Sequence, residues 1–275
     1  MKRALFAAAA VAAFAGAASA QAQEAAWSGP YVGAHFGYSW RDDGDDSDAV
    51  AFDTNLDGTY ADTVRTAAGA DAFSPGFCTG AGASAIPSGG CKDDDDGFEF
   101  GGRLGYDWQF GSFVVGAVGE VSRTTVKDSV TAFSTTPANY VFGRKLKHTA
   151  AARLRAGFAA GDNLIYATGG AVWGDIDHTF GSTNGVNTFT ARDSDDWAKG
   201  YQLGGGFERK LTDDVTLGVE YLYNKLDDDD YSVRASGPAP ATNPFILVNS
   251  GGTALRPTED KLKFHTVRIT ASYRF

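Results

Sequence analysis

Ten charged residues stand at positions that alternate with apolar ones in aromatic and glycine-rich segments. The acids are Glu99, Asp107, Glu120, Glu208 and Glu220; the bases are Arg103, Arg153, Arg155, Arg268 and Arg274. Successive side chains on a strand point to opposite faces, so these groups share one face and the apolar residues take the other. Arginine forks bond carboxylates bidentately, and buried charges persist only when paired. The chemistry on offer is an ion-pair network in an enclosed interior, with five acids against five bases. The alternative is a narrow ion path lined by both signs.

Other reactive types lead to less. His35, His148, His178 and His265 lack a Ser or Cys partner at a defined spacing, and read as interior or interface side chains. No enzyme and no catalytic residue is expected. Acidic runs at Asp42–Asp48, Asp93–Asp96 and Asp227–Asp230 offer oxygen ligands. Neither Asp43-Gly44-Asp45 nor Asp93–Asp96 matches the calcium-hand spacing with its closing Glu. They read as solvated faces with diffuse Mg²⁺ or Ca²⁺ binding; no metal site and no cofactor is expected. A net charge of −10 argues against nucleic acid, which needs clustered Lys and Arg.

The elements that would position the ten charges are strands. The final fifteen residues, KLKFHTVRITASYRF, alternate Val267, Ile269, Ala271, Tyr273 and Phe275 with Thr266, Arg268, Thr270, Ser272 and Arg274. Seven earlier segments behave alike: Tyr31–Trp40, Phe98–Phe110, Phe113 to about Arg123, His148–Ala160, Leu164 to about Gly174, Lys199–Lys210 and Val215–Leu226. The fifth, LIYATGGAVWG, is ambiguous because both faces are mild. The connections alternate long and short. Arg41–Gly97, Thr124–Lys147, Asp175–Ala198 and Asp227–Asp260 read as loops; Gly111-Ser112, Gly161–Asn163 and Thr212–Asp214 read as turns. Short turns on one side and long loops on the other are the pattern of a membrane barrel, whose strands of about ten residues cross a bilayer when tilted.

The N-terminus agrees. Lys2 and Arg3, the apolar Ala4–Ala17 and the small residues Ala18-Ser19-Ala20 predict a signal peptide cleaved between Ala20 and Gln21. Ala20-Gln21-Ala22 is a second candidate site. The run is shorter than the ~20 residues of a spanning helix. Export through an oxidising compartment predicts a Cys78–Cys91 disulfide, with two free thiols or a metal pair as alternatives. The organisation expected is a signal peptide over 1–20, a periplasmic linker over 21–30 and a barrel over 31–275, with a long acidic loop at 41–97 and a last external loop at 227–260. The fold class is all-β: an eight-stranded, antiparallel, up-and-down transmembrane β-barrel with long extracellular loops and both termini in the periplasm. A soluble ligand-binding barrel is the alternative fold.

Trp27-Ser28-Gly29-Pro30-Tyr31-Val32-Gly33, the hairpin around Gly101–Val121, Tyr166-Ala167-Thr168-Gly169-Gly170, Phe264-His265-Thr266-Val267-Arg268 and Tyr273-Arg274-Phe275 carry a likeness across the chain outside its loops. In their order they resemble the opacity-like "porin family" of small outer-membrane β-barrels from alphaproteobacteria. The first loop is longer and more acidic than that family leads one to expect. The resemblance implies a cell-outer-membrane location. It also makes Phe275, with Tyr273, a signal for the barrel-assembly machinery. Outer-membrane lipid and lipopolysaccharide are the other expected partners. The expected role is structural, in envelope integrity and surface-loop display, with the lumen plugged by ion pairs. A small passive-diffusion porin is the second reading, and an adhesin acting through its external loops is the third. An eight-stranded barrel favours the plug, because its interior is just wide enough for side chains to fill.

Overall fold

A computed structural model describes residues 26–41, 49–92, 94, 96–192, 197–228 and 231–275. The expected cleavage site at Ala20 and Gln21, the run Asp42–Asp48, and Asp93, Asp95, Asp229 and Asp230 lie outside the described residues.

The strands, in chain order, are β1 (Gly29–Trp40), β2 (Val50–Asp53), β3 (Gly76–Thr79), β4 (Ala81–Gly82), β5 (Cys91–Lys92), β6 (Gly97–Phe110), β7 (Phe113–Thr124), β8 (Lys127–Ser134), β9 (Ala138–Ala160), β10 (Asn163–Ser182), β11 (Thr188–Arg192), β12 (Ala198–Lys210), β13 (Val215–Asp227), β14 (Ser232–Ser236), β15 (Thr253–Pro257) and β16 (Lys261–Arg274). β1 pairs with β6, and the ladder continues through β7, β9, β10, β12, β13 and β16. β16 then pairs back onto β1, from Tyr31↔Arg274 to Trp40↔His265, so the ring is closed. Every pairing is antiparallel, and closure leaves these strands without a free edge.

The alternation in the sequence decides what the ring buries. On β6, Phe98, Phe100, Leu104, Tyr106, Trp108 and Phe110 are exposed, while Glu99, Arg103 and Asp107 are buried. A soluble protein would bury the first set. The exposed set forms an apolar outer wall with an aromatic belt at each end. At the loop end, Trp40 stacks on His265 at 5.7 Å and Tyr38 meets Phe98 at 5.7 Å. At the turn end, Tyr106 contacts Trp108 at 4.7 Å and Phe113 contacts Phe158 at 5.6 Å. From Phe98 to Trp108 the chain advances roughly 33 Å, or about 24 Å along the normal at ~45° tilt, which fits the apolar band of a membrane barrel.

Leu104, midway along β6, is 65% exposed. Leu104→Arg is expected to cost about 2–4 kcal/mol at the bilayer midplane. The check is the yield of folded, heat-modifiable protein in vesicles; an unchanged yield would take Leu104 off the lipid face.

Two expectations need correction. The facing of the fifth strand, ambiguous in sequence, is defined by its neighbours: Leu164, Tyr166 and Val172 turn inward, and Ile165 and Trp173 outward. The long connections are also not strand-poor. The stretch Thr124–Lys147, expected as a polar loop, holds β8 and the start of β9, and Asp175–Ala198 holds the end of β10 and β11. Strands β2 to β5 lie within 41–97, and β14 and β15 within 227–260. Those of the loop-end sheet were hard to see because each is short and pairs with a remote segment: β2 with β15, β15 with β14, β14 with β11. Together they enclose a second apolar core at the loop end, built on Phe52, Phe73, Tyr140, Phe142, Val233, Phe245 and Leu255.

Candidate functional site

The lumen is layered. Next to the turn end, the Trp27 backbone N–H donates to the Gln109 side-chain oxygen (2.9 Å), and Arg274 donates to the Trp27 carbonyl (2.7 Å) and pairs with Asp107. Asp107 also receives both prongs of Arg155, whose Nε lies 2.8 Å from Oδ1. The third nitrogen of Arg155 donates to Glu208 Oε1 at 2.7 Å. The rings of Tyr31 and Tyr166 face the same guanidinium at 4.8 and 5.0 Å. These rings fit because the paired positions on the neighbouring strands carry glycine. A Cβ on Gly105 would lie 2.4 Å from the Tyr31 ring, and one on Gly206 would lie 2.6 Å from the Tyr166 hydroxyl.

Arg268 anchors the middle layer. It donates to Glu220 through Nε (2.8 Å), to Glu99 through Nη1 (2.9 Å) and to both oxygens of Glu120 through Nη2 (2.5 and 2.7 Å). Arg153 pairs with Glu120 and, at 3.3 Å, with Glu220, which also accepts the Tyr166 hydroxyl at 2.9 Å. Arg103 lies 3.6 Å from Glu208 and 4.0 Å from Glu120. All ten charged groups named from the sequence thus lie in one network, each 6% exposed or less. Glycines at Gly37, Gly116 and Gly218 leave the space: a Cβ there would strike Arg268, Asp107 and Glu208 respectively.

Above this network comes a neutral polar layer. Ser39 bonds Thr266 at 2.8 Å, and Gln202 donates to Asn224 at 2.6 Å. Then comes an apolar stratum of Val126, Leu146, Val172, Leu226, Leu262 and Phe264, each 0–1% exposed. A second ionic layer lies at the loop end. Arg144 donates to Asp128 (2.5 Å) and Asp228 (3.2 Å), and Arg41 pairs with Asp94 (3.1 Å) and Asp128. Burial alone would raise the Asp228 carboxyl, but the hydrogen bond from His178 and the Arg144 charge hold it below the usual carboxylate range. Burial does raise Asp94, against the hydrogen bond from Ser129 and the Arg41 charge.

The histidines are dispersed. His35 faces the lumen, 2.9 Å from Ser122 Oγ and 3.5 Å from Glu99. His265 is on the outer wall, bonded to the Tyr221 hydroxyl at 2.6 Å. His148 bonds Asp175 at 3.1 Å, and His178 bonds Asp228 at 2.9 Å beneath Tyr231. Cys78 and Cys91 form a disulfide that ties β3 to β5. At the turn end, Tyr273 and Phe275 are exposed, with ring centroids 5.0 Å apart. Sequence reasoning missed the lumen roles of Tyr31 and Tyr166. Parity with His35 places Tyr31 inside, whereas the strand that carries Tyr166 is ambiguous in sequence.

The model of the outer membrane protein β-barrel domain matches residues 6–275. The chain belongs to this outer-membrane family. Curated relatives are the 31 kDa outer-membrane immunogenic proteins of Brucella melitensis biotype 1 and Brucella suis biovar 1. Each is 29% identical over 184 residues, covering 65% of this chain and 67% of the relative. The outer-membrane likeness that the sequence carried is therefore a family relation, and the relatives are alphaproteobacterial. Among solved structures, the outer membrane protein OprG from Pseudomonas aeruginosa aligns over 90% of this chain and 97% of its own, at 12% identity and a TM-score of 0.48. The outer membrane protease OmpT from Escherichia coli aligns over 94% of this chain and 100% of its own, at 10% identity and a TM-score of 0.44.

Proposed function

We propose that this family member is a closed, eight-stranded outer-membrane barrel. It serves envelope integrity and holds a folded β-sheet platform at the cell surface. Its turn end, with both termini, faces the periplasm; its loop end faces outward. The carrying observation is the apolar stratum above the ion-pair network. Leu146, Val172 and Leu226 are 0% exposed, so no water-sized gap adjoins them. An ion crossing this layer would shed its hydration shell with no polar group to replace it. Below it, five acids and five bases neutralise one another and occupy the space a hydrated path would need.

The protein is read as non-enzymatic. Its outer wall contacts outer-membrane lipid and lipopolysaccharide, the acidic loops hold diffuse divalent cations, and Phe275 with Tyr273 is the mark read by the assembly machinery. Single-channel recording in planar bilayers tests the closed lumen. The expected record has no steady openings; reproducible openings that scale with inserted protein would replace this reading with the small-porin one.

A further inference from the structure

The loop-end sheet has the order β11-β14-β15-β2. One face supplies Phe52, Val233, Ala235 and Leu255 to the apolar core. By alternation, the other face carries Arg192, Ser232, Arg234, Arg256 and Asp53. Arg192 stands opposite Ser232, and Arg234 opposite Ala254, which in turn stands opposite Asp53. A cavity of about 110 Å³ opens on this face, lined by Arg192, Ser232, Arg234 and Tyr60. The Arg256 guanidinium does not line the cavity but lies over the Tyr60 ring at 4.3 Å.

We propose that this cavity binds an anionic substituent of a sugar chain: a phosphate, sulfate or carboxylate. The proposal rests on the reading that the loop end faces outward. Two arginines, Arg192 and Arg234, line the cavity on a chain of net charge −10, and a third, Arg256, stands behind Tyr60. No ion pair engages Arg192, Arg234 or Arg256 among the described residues. This sets them apart from Arg41 and Arg144, which are held by carboxylates. One acid, Asp53, also lines the cavity, and it is already committed. Asp53 is 3% exposed, and its carboxylate accepts the backbone N–H groups of Leu56 (2.6 Å), Asp57 (3.2 Å) and Gly58 (2.9 Å).

The donor set fits the ligand class. Guanidinium forks match the paired oxygens of carboxylate, sulfate and phosphate, and the Ser232 hydroxyl adds a neutral donor. Tyr60, fixed by Arg256, gives a flat apolar surface beside the charges, against which the carbon face of a sugar ring can lie. An isolated inorganic anion would use the arginines alone. A charged sugar uses both, so affinity should exceed that for free sulfate at equal ionic strength.

The test uses the full-length protein in vesicles. Binding is measured for a sulfated hexasaccharide, a neutral hexasaccharide of the same backbone, a phosphorylated lipopolysaccharide core oligosaccharide and inorganic sulfate. The sulfated or the phosphorylated sugar should bind, and their ranking identifies the source. Arg192→Gln with Arg234→Gln should weaken that binding at least tenfold, and Tyr60→Ala should erase the preference over inorganic sulfate. These exposed substitutions should leave heat-modifiable migration unchanged. Equal binding by wild type and the double variant, or binding of neither charged sugar, would overturn the site. Arg234→Cys on intact cells, probed with a membrane-impermeant maleimide, reports separately on orientation. Absence of labelling there with intact binding in vesicles would reject the outward reading and leave the site standing.

Discussion

Arg268→Leu should destabilise the barrel by about 3–5 kcal/mol, the usual cost of removing one partner from a buried charge network. Arg268 is 1% exposed and bonds Glu99, Glu120 and Glu220. Among the described residues no other base takes all three. Arg153 reaches Glu120 and Glu220 but does not pair with Glu99. Without Arg268, three buried carboxylates face one another with too few donors, and they must take up protons or admit water. Arg268→Lys should fall between, because an ammonium is a point donor and lacks the fork that spans three acids. Adding Glu99→Gln to Arg268→Leu should recover part of the loss, because among the described residues Glu99 has no other arginine partner, while Glu120 and Glu220 keep Arg153. The measurement is urea unfolding from vesicles, with heat-modifiable migration as a second readout. A midpoint equal to wild type would mean that the network contributes fit and no net stability.

That network shows what the sequence can disclose. Charge at a strand position is legible because alternation has a period of two and a barrel has two chemically opposed faces. Glu99, Arg103 and Asp107 share one parity on β6, and the lipid-facing Phe100, Leu104 and Trp108 share the other. Which acid meets which base was not legible. Arg268 and Glu120 are 148 residues apart and meet only after ring closure fixes the register. The same limit hid the loop-end sheet. Val50 and Phe52 on β2 are two apolar residues in an acidic stretch, and nothing local announces that β15 will pair with them. Tyr31 and Tyr166 were hidden differently, since a large aromatic residue inside a narrow barrel requires glycines at the paired positions of the neighbouring strands, here Gly105 and Gly206. Sequence shows those glycines without showing what they face.

Phe73→Ala should unfold the loop-end sheet and spare the barrel. Phe73 is 4% exposed at the centre of an aromatic cluster, with ring centroids 4.4 Å from Phe52, 5.3 Å from Tyr140 and 5.9 Å from Phe245. Truncating a buried Phe costs about 3–5 kcal/mol, counting lost transfer and the cavity left behind. The loop-end core is a separate cluster from the apolar stratum of the lumen. The long hairpin β9–β10 links the two, and its register shifts between Asp175 and Ile176, where the ring gives way to the sheet. Most of the loss should therefore stay local. Limited proteolysis of intact vesicles should cut the variant within 49–92 or 231–260 much faster than wild type. The barrel should still migrate as a folded, heat-modifiable band, since its outer wall and ion pairs do not involve Phe73. If that band disappears together with protease resistance, barrel and sheet form one cooperative unit. The membrane would then stabilise the loop-end sheet as well as the barrel wall.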